Sequence, residues 1–187
     1  MFGVLIYMQP ARFKSYWLVL LLVHLFLSAY VSEQTRPLNI RIKNSEFKID
    51  KLIVSDNWYL PPLKSKLGTP EKIIKGVNNT YTYTDLGLVL FEGIDSILNE
   101  IQIFYDLRNP TKVSPYAVYR GVLKIDKLIL NENLSKELMI NSLIKWNPGT
   151  SFSPHLYRAE KDGIYLYFEF TADEKNLVKV SIGRVKA

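Results

Sequence analysis

Lys48-Ile49-Asp50-Lys51-Leu52-Ile53-Val54-Ser55 returns almost unchanged, 76 positions later, as Lys124-Ile125-Asp126-Lys127-Leu128-Ile129-Leu130-Asn131. The similarity extends beyond this phrase, since residues 87–91 match residues 163–167 at the same spacing. One residue is gained near the end, where residues 99–103 line up with residues 176–180. Self-similarity at a fixed spacing is the signature of repeated structural units. We therefore expect an internal duplication.

The composition is that of a folded protein, with 187 residues, 48% hydrophobic and 22% charged. The absence of cysteine excludes a disulfide scaffold, a thiolate metal site, a cysteine nucleophile and a lipid-modified cysteine anchor. The formal net charge is +6, of which Arg12 and Lys14 in the leader supply two. Because the remaining excess is spread along the sequence, we expect no nucleic-acid partner.

The pattern of residues 1–32, here called the leader, predicts either a cleavable signal peptide or a signal-anchor. Arg12 and Lys14 precede an apolar run over residues 16–31, which is typical of export signals. The run is short for a transmembrane helix, which usually needs about 20 residues, and this favours cleavage. In either case we expect an exported chain, periplasmic or anchored to the inner membrane by residues 16–31. The alternative is a buried N-terminal helix of a cytosolic protein.

The rest of the chain is expected to form two tandem α+β repeats, over residues 38–107 and 116–187. Each reads strand-strand-helix-strand-strand-strand, in antiparallel sheets with one helix packed on a face. Strands are expected at 38–43, 47–54, 80–84, 88–92 and 100–105 in the first repeat. The second is expected to repeat this order, with strands at 116–123, 155–160, 163–171 and 177–185.

Each predicted helix has its own end signals. Pro61 and Pro62 suit a first helical turn, and Gly68 can end the first helix with a left-handed cap. Ser135 can cap the second helix by accepting from backbone N–H groups of its first turn. Leu138, Leu143 and Trp146 are expected on the buried face of that helix, with Met139 beside it, and 147–149 end it.

The titratable residues give little sign of chemistry. His155 is the only histidine after the leader, and no nucleophile elbow accompanies it. We therefore expect no catalytic residue, no metal and no cofactor. Each copy of the repeated phrase has an aspartate at the same place, Asp50 in the first and Asp126 in the second. A turn or bulge between two strands explains these residues better than a functional role does. Carboxylates such as Glu92, Glu100 and Glu160 are expected at strand ends and turns.

A set of four aromatic residues, Trp58, Tyr59, Tyr81 and Tyr83, is the candidate binding site. They could form a face for a sugar or a partner protein. The alternative is that they fill the space between helix and sheet. We also expect Gly87 and Gly163 to play one role, as positive-φ residues of equivalent two-residue hairpins.

The order of motifs in the first repeat resembles exported α+β modules. Residues 67–70 (Leu-Gly-Thr-Pro) precede the aromatic strand of Tyr81 and Tyr83, which is followed by an apolar return strand ending at Phe91. This order is similar to outer-membrane-assembly lipoprotein domains, the tandem β-lactamase inhibitor protein and uncharacterised bacterial envelope proteins. The sequence departs from them in lacking a lipid-accepting cysteine, and Leu143-Ile144 replaces Leu67-Gly68 in the second repeat.

The resemblance implies binding to another protein. We therefore expect a non-enzymatic protein-binding module of the bacterial cell envelope, of inhibitor or immunity type. Its partner would be an envelope protein, with membrane contact through the leader if that segment is uncleaved. The alternative from another class is a glycan hydrolase that works through two carboxylates.

Overall fold

The computed structural model describes residues 19–24, 37–108 and 110–185. The chain divides into two units, Met1–Arg36 and Pro37–Ala187. In the first part of the second unit the elements are β1 Asn39–Lys43, β2 Glu46–Ile49, β3 Leu52–Ile53, α1 Leu60–Leu67, β4 Lys72–Ile74, β5 Asn79–Tyr83, β6 Leu88–Glu92 and β7 Leu98–Phe104. Then follow β8 Val122–Ile125, β9 Leu128–Leu130, α2 Lys136–Ser142, β10 Gly149–Thr150, β11 Leu156–Lys161, β12 Ile164–Phe170 and β13 Leu177–Arg184.

The leader is described only at residues 19–24, which are helical. Within the described ranges, no helix is long and apolar enough to cross a membrane. The expectation of a transmembrane helix over residues 16–31 is therefore wrong for these residues. The predicted cleavage site and the basic flank lie outside the described residues.

The second unit is mainly β, with two sheets and a few short helices. The five-stranded sheet has the order β3-β2-β1-β8-β9, and the eight-stranded sheet has the order β10-β11-β12-β13-β7-β6-β5-β4. All of these neighbours are antiparallel except β1 and β8, which are parallel. Strands from both predicted repeats share each sheet. The expected antiparallel sheets with helices are thus present, with less helix than an α+β class implies.

Alternation of apolar and polar residues explains how the five-stranded sheet is placed. In β1, Ile40 and Ile42 are buried, whereas Asn39, Arg41 and Lys43 between them are exposed. Successive side chains of a strand point to opposite faces, so one face of the sheet is inner and the other is outer. The inner face belongs to a single hydrophobic core that also includes residues from α1, α2 and the eight-stranded sheet.

The repeated phrase folds as a tight hairpin in both places. Lys48 pairs with Ile53 across β2 and β3, and Lys124 pairs with Ile129 across β8 and β9. Asp50 and Asp126 both have φ 51° at the turns. The single strand expected over residues 47–54 is therefore wrong. A left-handed residue at the turn divides it into two strands.

A strand was also expected over residues 116–123, but β8 begins only at Val122. Tyr119 explains the irregular segment before it. Its backbone N–H donates to Phe104 O at 2.7 Å, and its hydroxyl donates to Leu38 O at 2.6 Å. These bonds hold residue 119 between the end of β7 and the start of β1, so it does not extend β8.

The first helix ends at Gly68 as expected, whereas α2 ends at Ser142 rather than at residues 147–149, and its buried face also differs. Gly68 caps α1 with φ 83°, and Ser135 Oγ accepts from Leu138 N at 3.3 Å at the start of α2. Met139 is buried in the core and Leu138 is exposed, the reverse of the expectation. The buried residues Met139, Leu143 and Trp146 follow the helical spacing i, i+4 and i+7, and this spacing leaves Leu138 on the solvent side.

Candidate functional site

The four aromatic residues predicted to bind do not form one exposed face. Trp58, Tyr81 and Tyr83 are 4%, 6% and 1% exposed, and only Tyr59 is open, at 44%. Trp58 packs against Phe47 with ring centroids 5.4 Å apart. Three of the four therefore fill the core between helix and sheet, because Tyr81 and Tyr83 lie two apart on the inner face of β5. A binding role for this set stays a prediction.

Tyr81 also takes part in a polar cluster at the end of β6. Glu92 Oε2 accepts from Tyr81 Oη at 2.5 Å and from Asn79 Nδ2 at 2.7 Å. Lys64 Nζ lies 4.0 Å from the centre of the Tyr81 ring. Burial alone would raise the pKa of Glu92, but the bonds from Tyr81 and Asn79 hold that pKa below its ordinary value. The carboxylate is ionised and serves as a structural acceptor.

A similar cluster fixes the start of α2. Glu174 Oε1 accepts from Tyr157 Oη at 2.6 Å, and its other oxygen binds Lys136 Nζ. The hydrogen bond with Glu174 raises the pKa of Lys136, and the bond with Lys136 lowers the pKa of Glu174. The cluster ties the helix to β11 and to the turn before β13.

His155 lies just before β11, beside the end of β12. The Nδ1 atom of His155 is buried and meets no hydrogen-bond partner within the described residues. Its backbone oxygen accepts from Phe170 N at 3.0 Å, which places the residue at the end of β12. Over the same residues, no three His, Cys, Asp or Glu side chains gather as a metal site would require.

A groove lies on the outer face of the eight-stranded sheet, away from the core. It consists of two adjoining clefts of about 590 and 720 Å³, which share Glu100, Gln102 and Tyr167. In register, Arg158 pairs with Tyr167, Tyr167 with Ser181, and Ser181 with Gln102. The groove floor therefore runs across β11, β12, β13 and β7. We call this surface the outer groove.

The centre of the outer groove is held by a bond across one strand. Tyr165 Oη on β12 donates to Glu100 Oε2 on β7 at 2.9 Å, and Gln102 Nε2 donates to Glu100 Oε1 at 2.7 Å. Burial, followed by the charge of Glu100, raises the pKa of Tyr165, so its hydroxyl stays protonated as the donor. Both carboxylate oxygens of Glu100 are therefore engaged.

Aromatic and cationic side chains line the rest of the outer groove. The Tyr165 and Tyr167 ring centroids are 5.3 Å apart in an edge-to-face arrangement. The Arg158 guanidinium lies 5.8 Å from the centre of the Tyr167 ring. Phe152, at the far end, is 89% exposed. Lys179 forms an ion pair with Glu169 at 3.0 Å. The surface offers stacking area with charges of both signs.

Sequence reasoning missed these groove residues, although a signal was present. In β12 the residues alternate between buried and partly exposed, with Tyr165, Tyr167 and Glu169 on the outer side. Two tyrosines and a carboxylate on the solvent side of a strand are an unusual use of large aromatic residues. The alternation separates the two faces of β12, and the structure shows that the tyrosine face is the outer one.

The fold defines a mainly β protein with two sheets over one core. Residues 39–139 match the model of the family described as "Domain of unknown function (DUF7738)", and the chain belongs to that family. The match ends within α2, so much of the outer groove lies beyond it. A comparison with curated proteins gave no match.

Among solved structures, the crystal structure of a cysteine-rich secretory protein from Staphylococcus aureus is similar to this chain. The two are 13% identical, over 68% of this chain and 43% of that chain, with a TM-score of 0.34. This chain therefore matches less than half the length of that protein.

Proposed function

We propose that the chain is a non-enzymatic protein-binding module of the bacterial cell envelope and that the outer groove is its binding surface. The observation that carries the proposal is the row of Arg158, Tyr167 and Gln102 along the groove floor. Tyr and Arg are the residues most enriched at energetic centres of protein interfaces. Their place on neighbouring strands gives a partner a firm surface.

Preorganisation supports the same proposal. The Tyr165 ring is fixed by its bond to Glu100, and the Tyr167 ring packs edge-to-face against it. Side chains that are already ordered lose little conformational entropy when a partner binds, so more of the contact energy appears as affinity. Phe152 at the rim is free to be buried by a partner.

The groove is less suited to glycan hydrolysis. Glu169 and Glu100 lie two strands and four residue pairs apart. At roughly 4.8 Å per strand and 3.4 Å per residue, their Cα atoms are about 17 Å from each other. Glycosidases hold their two carboxyl groups about 5 to 9.5 Å apart. Glu100 is also bonded at both oxygens, which favours a structural role.

We propose further that residues 38–107 and 116–187 are tandem repeats. Support comes from the equal hairpins at Asp50 and Asp126 and from the order of elements that follows each. A register shift interrupts β6 at Phe91/Glu92, and another interrupts β12 at Glu169/Phe170. The two turns differ, since the β5–β6 turn spans four residues, 84–87, whereas the β11–β12 turn spans two, Asp162 and Gly163. The expectation that Gly87 and Gly163 lie in equivalent two-residue hairpins is therefore wrong.

The envelope location and the inhibitor or immunity type rest on the sequence. Arg12 and Lys14 before an apolar run favour export, and the motif order from Leu67 to Phe91 resembles exported protein-binding modules. We infer that the chain acts outside the cytoplasm on another envelope protein.

Site-specific photocrosslinking tests the proposal. A benzophenone amino acid at Phe152 is expected to link the chain to one envelope protein in intact cells. The same group at Ile144, which is 76% exposed and does not line the groove, is the control position. Tyr167→Ala and Arg158→Ala should each abolish the link from position 152 and weaken binding of the identified partner by at least tenfold.

Two results would contradict the proposal. One is an identical set of linked proteins at positions 152 and 144. The other is release of reducing sugars from envelope glycan by the wild-type chain, lost in Glu100→Gln and Glu169→Gln, which would favour the hydrolase.

A further inference from the structure

A second charged surface lies on the outer face of the five-stranded sheet. Arg41 on β1 pairs with Lys48 on β2 and with Lys124 on β8. The same row ends in Ile53 on one side and Ile129 on the other. Three cationic side chains thus stand next to one another on neighbouring strands. We call this surface the basic face.

Other residues extend the positive charge of the basic face. Lys43 is exposed at the end of β1 and, with Arg41 and Lys48, lines a shallow depression of about 390 Å³. Lys51 and Lys127 are exposed at the turns after β2 and β8. Glu46 is the acidic residue in the depression, and it pairs with Lys48 at 2.6 Å. Folding gathers charge here that the sequence spreads over distant segments.

The row of like charges does not help to stabilise the sheet. Like charges directly opposite each other on neighbouring strands destabilise a sheet. Arg41 has a like-charged neighbour on each of the two adjacent strands, although an uncharged polar residue would also fit at this exposed position. An anionic partner would turn this repulsion into attraction.

We propose that the basic face docks onto an anionic lipid surface. Clusters of four to eight Lys and Arg residues are typical of proteins that bind acidic headgroups. Lys is depleted in protein–protein interfaces, which disfavours a protein partner. Val122 and Ile129 are exposed on the same face, and aliphatic side chains suit the boundary between headgroups and acyl chains better than a nucleic-acid backbone.

The basic face and the outer groove belong to different sheets, and both point away from the shared core. A chain held on a lipid surface through the basic face would leave the outer groove open to a partner. The lipid proposal does not depend on the proposed function, because it concerns other residues and another ligand.

Vesicle partitioning of the full chain tests the inference. The partition coefficient is measured on vesicles of equal parts phosphatidylglycerol and phosphatidylcholine, and again on vesicles of phosphatidylcholine alone. The readout is the first coefficient divided by the second. This ratio cancels apolar binding by the leader, which is the same in every variant. We expect the wild-type ratio to be well above one and to fall as salt is added.

The face variant carries Arg41→Gln, Lys48→Gln and Lys124→Gln. Its ratio is expected to fall by roughly 100-fold, at about fivefold per basic residue. The matched control carries Lys75→Gln, Lys145→Gln and Lys175→Gln, three exposed positions elsewhere with the same loss of charge. Its ratio should fall by less than tenfold. The face variant should melt close to the wild type, because the repulsion around Arg41 and the exposed Lys48–Glu46 ion pair are lost together.

Three outcomes would overturn the inference. The first is a wild-type chain with no preference for anionic vesicles. The second is an equal loss in the face and control variants, which would mean a general effect of net charge. The third is a face variant that binds vesicles normally but loses binding to polyglutamate, which would assign the surface to an acidic protein.

Discussion

Tyr165 on β12 donates a hydrogen bond to Glu100 on β7 at 2.9 Å, across the strand that separates them. The strand between is β13, and at the crossing point it carries Gly183. A Cβ added there would lie 2.2 Å from atoms of the Tyr165 ring. The missing side chain at Gly183 is therefore what lets the ring reach Glu100.

Tyr165→Phe removes this bond and leaves the ring in place. Because the acceptor is a carboxylate, we expect a loss of about 1.5 kcal/mol in the free energy of unfolding, measured by urea titration. Tyr167→Phe is the control, since the Tyr167 hydroxyl makes no hydrogen bond within the described residues, and it should change stability by less than about 0.5 kcal/mol. Equal losses in the two variants would mean that the bond to Glu100 contributes nothing.

Gly87 and Gly163 share a positive φ, at 66° and 79°, but they differ in their surroundings. A Cβ on Gly87 would lie 2.2 Å from Tyr119 N, whereas a Cβ on Gly163 meets nothing within 4 Å. Gly163→Ala should therefore cost only the left-handed strain, about 1–2 kcal/mol. Gly87→Ala should cost roughly 3 kcal/mol or more, since overpacking against backbone is added.

Thermal melts of both glycine variants measure this difference. Gly93→Ala is a useful third variant, because Gly93 has φ −94° and its added Cβ would meet the movable side chain of Asn99. We expect it to lose less than Gly87→Ala. Equal losses at Gly87 and Gly163 would mean that the backbone near Tyr119 moves aside at no cost.

The repeated phrase predicted that its two copies fold alike, but not that each copy divides into the two strands of a hairpin. Lys-Ile-Asp-Lys combines a β-forming residue with an aspartate that accepts the left-handed region, and both copies fold alike. The segment before β8 was misread because Tyr119 is held by partners far away in sequence. Such contacts, to Phe104 and Leu38, leave no local signal.

The candidate site was harder to predict than the strands. A period-two pattern separates Tyr81 and Tyr83 from Thr80 and Thr82, but it does not tell which set faces the core. In β5 the tyrosines face inward, whereas in β12 Tyr165 and Tyr167 face outward. Which face is covered depends on the other sheet, and that is decided by tertiary packing.

Asp126 is expected to be a structural residue rather than a functional one. Its Oδ2 accepts from the indole N–H of the buried Trp146 at 2.8 Å, and its φ is 51°. Asp126→Ala should cost about 3 kcal/mol, from an unpaired buried donor and a side chain strained in the left-handed region. Asp126→Asn keeps an acceptor and tolerates this conformation, so it should cost less than about 1 kcal/mol. Urea unfolding followed by tryptophan fluorescence measures the stability of both variants. Similar losses in the two would mean that the bond to Trp146 does not stabilise the fold.

The stability of the fold should depend on pH through Glu92. Burial raises the pKa of Glu92, but the bonds from Tyr81 and Asn79, the charge of Lys64 and a bond with Ser96 together bring it below its ordinary value. A carboxylate with a lowered pKa stabilises the fold above its unfolded-state pKa, and this contribution disappears as the pH falls through the folded-state pKa. Glu92→Gln keeps an oxygen that can accept both bonds but loses the charge.

We therefore expect Glu92→Gln to cost about 1 kcal/mol at neutral pH and close to nothing at pH values well below 4. Urea titrations at a series of pH values measure the difference from wild type. Glu160→Gln is the control, because Glu160 is an exposed carboxylate paired with Arg158, and such pairs contribute little. A wild-type advantage over Glu92→Gln that stays constant from neutral to acid pH would show that the charge of Glu92 is not the stabilising feature.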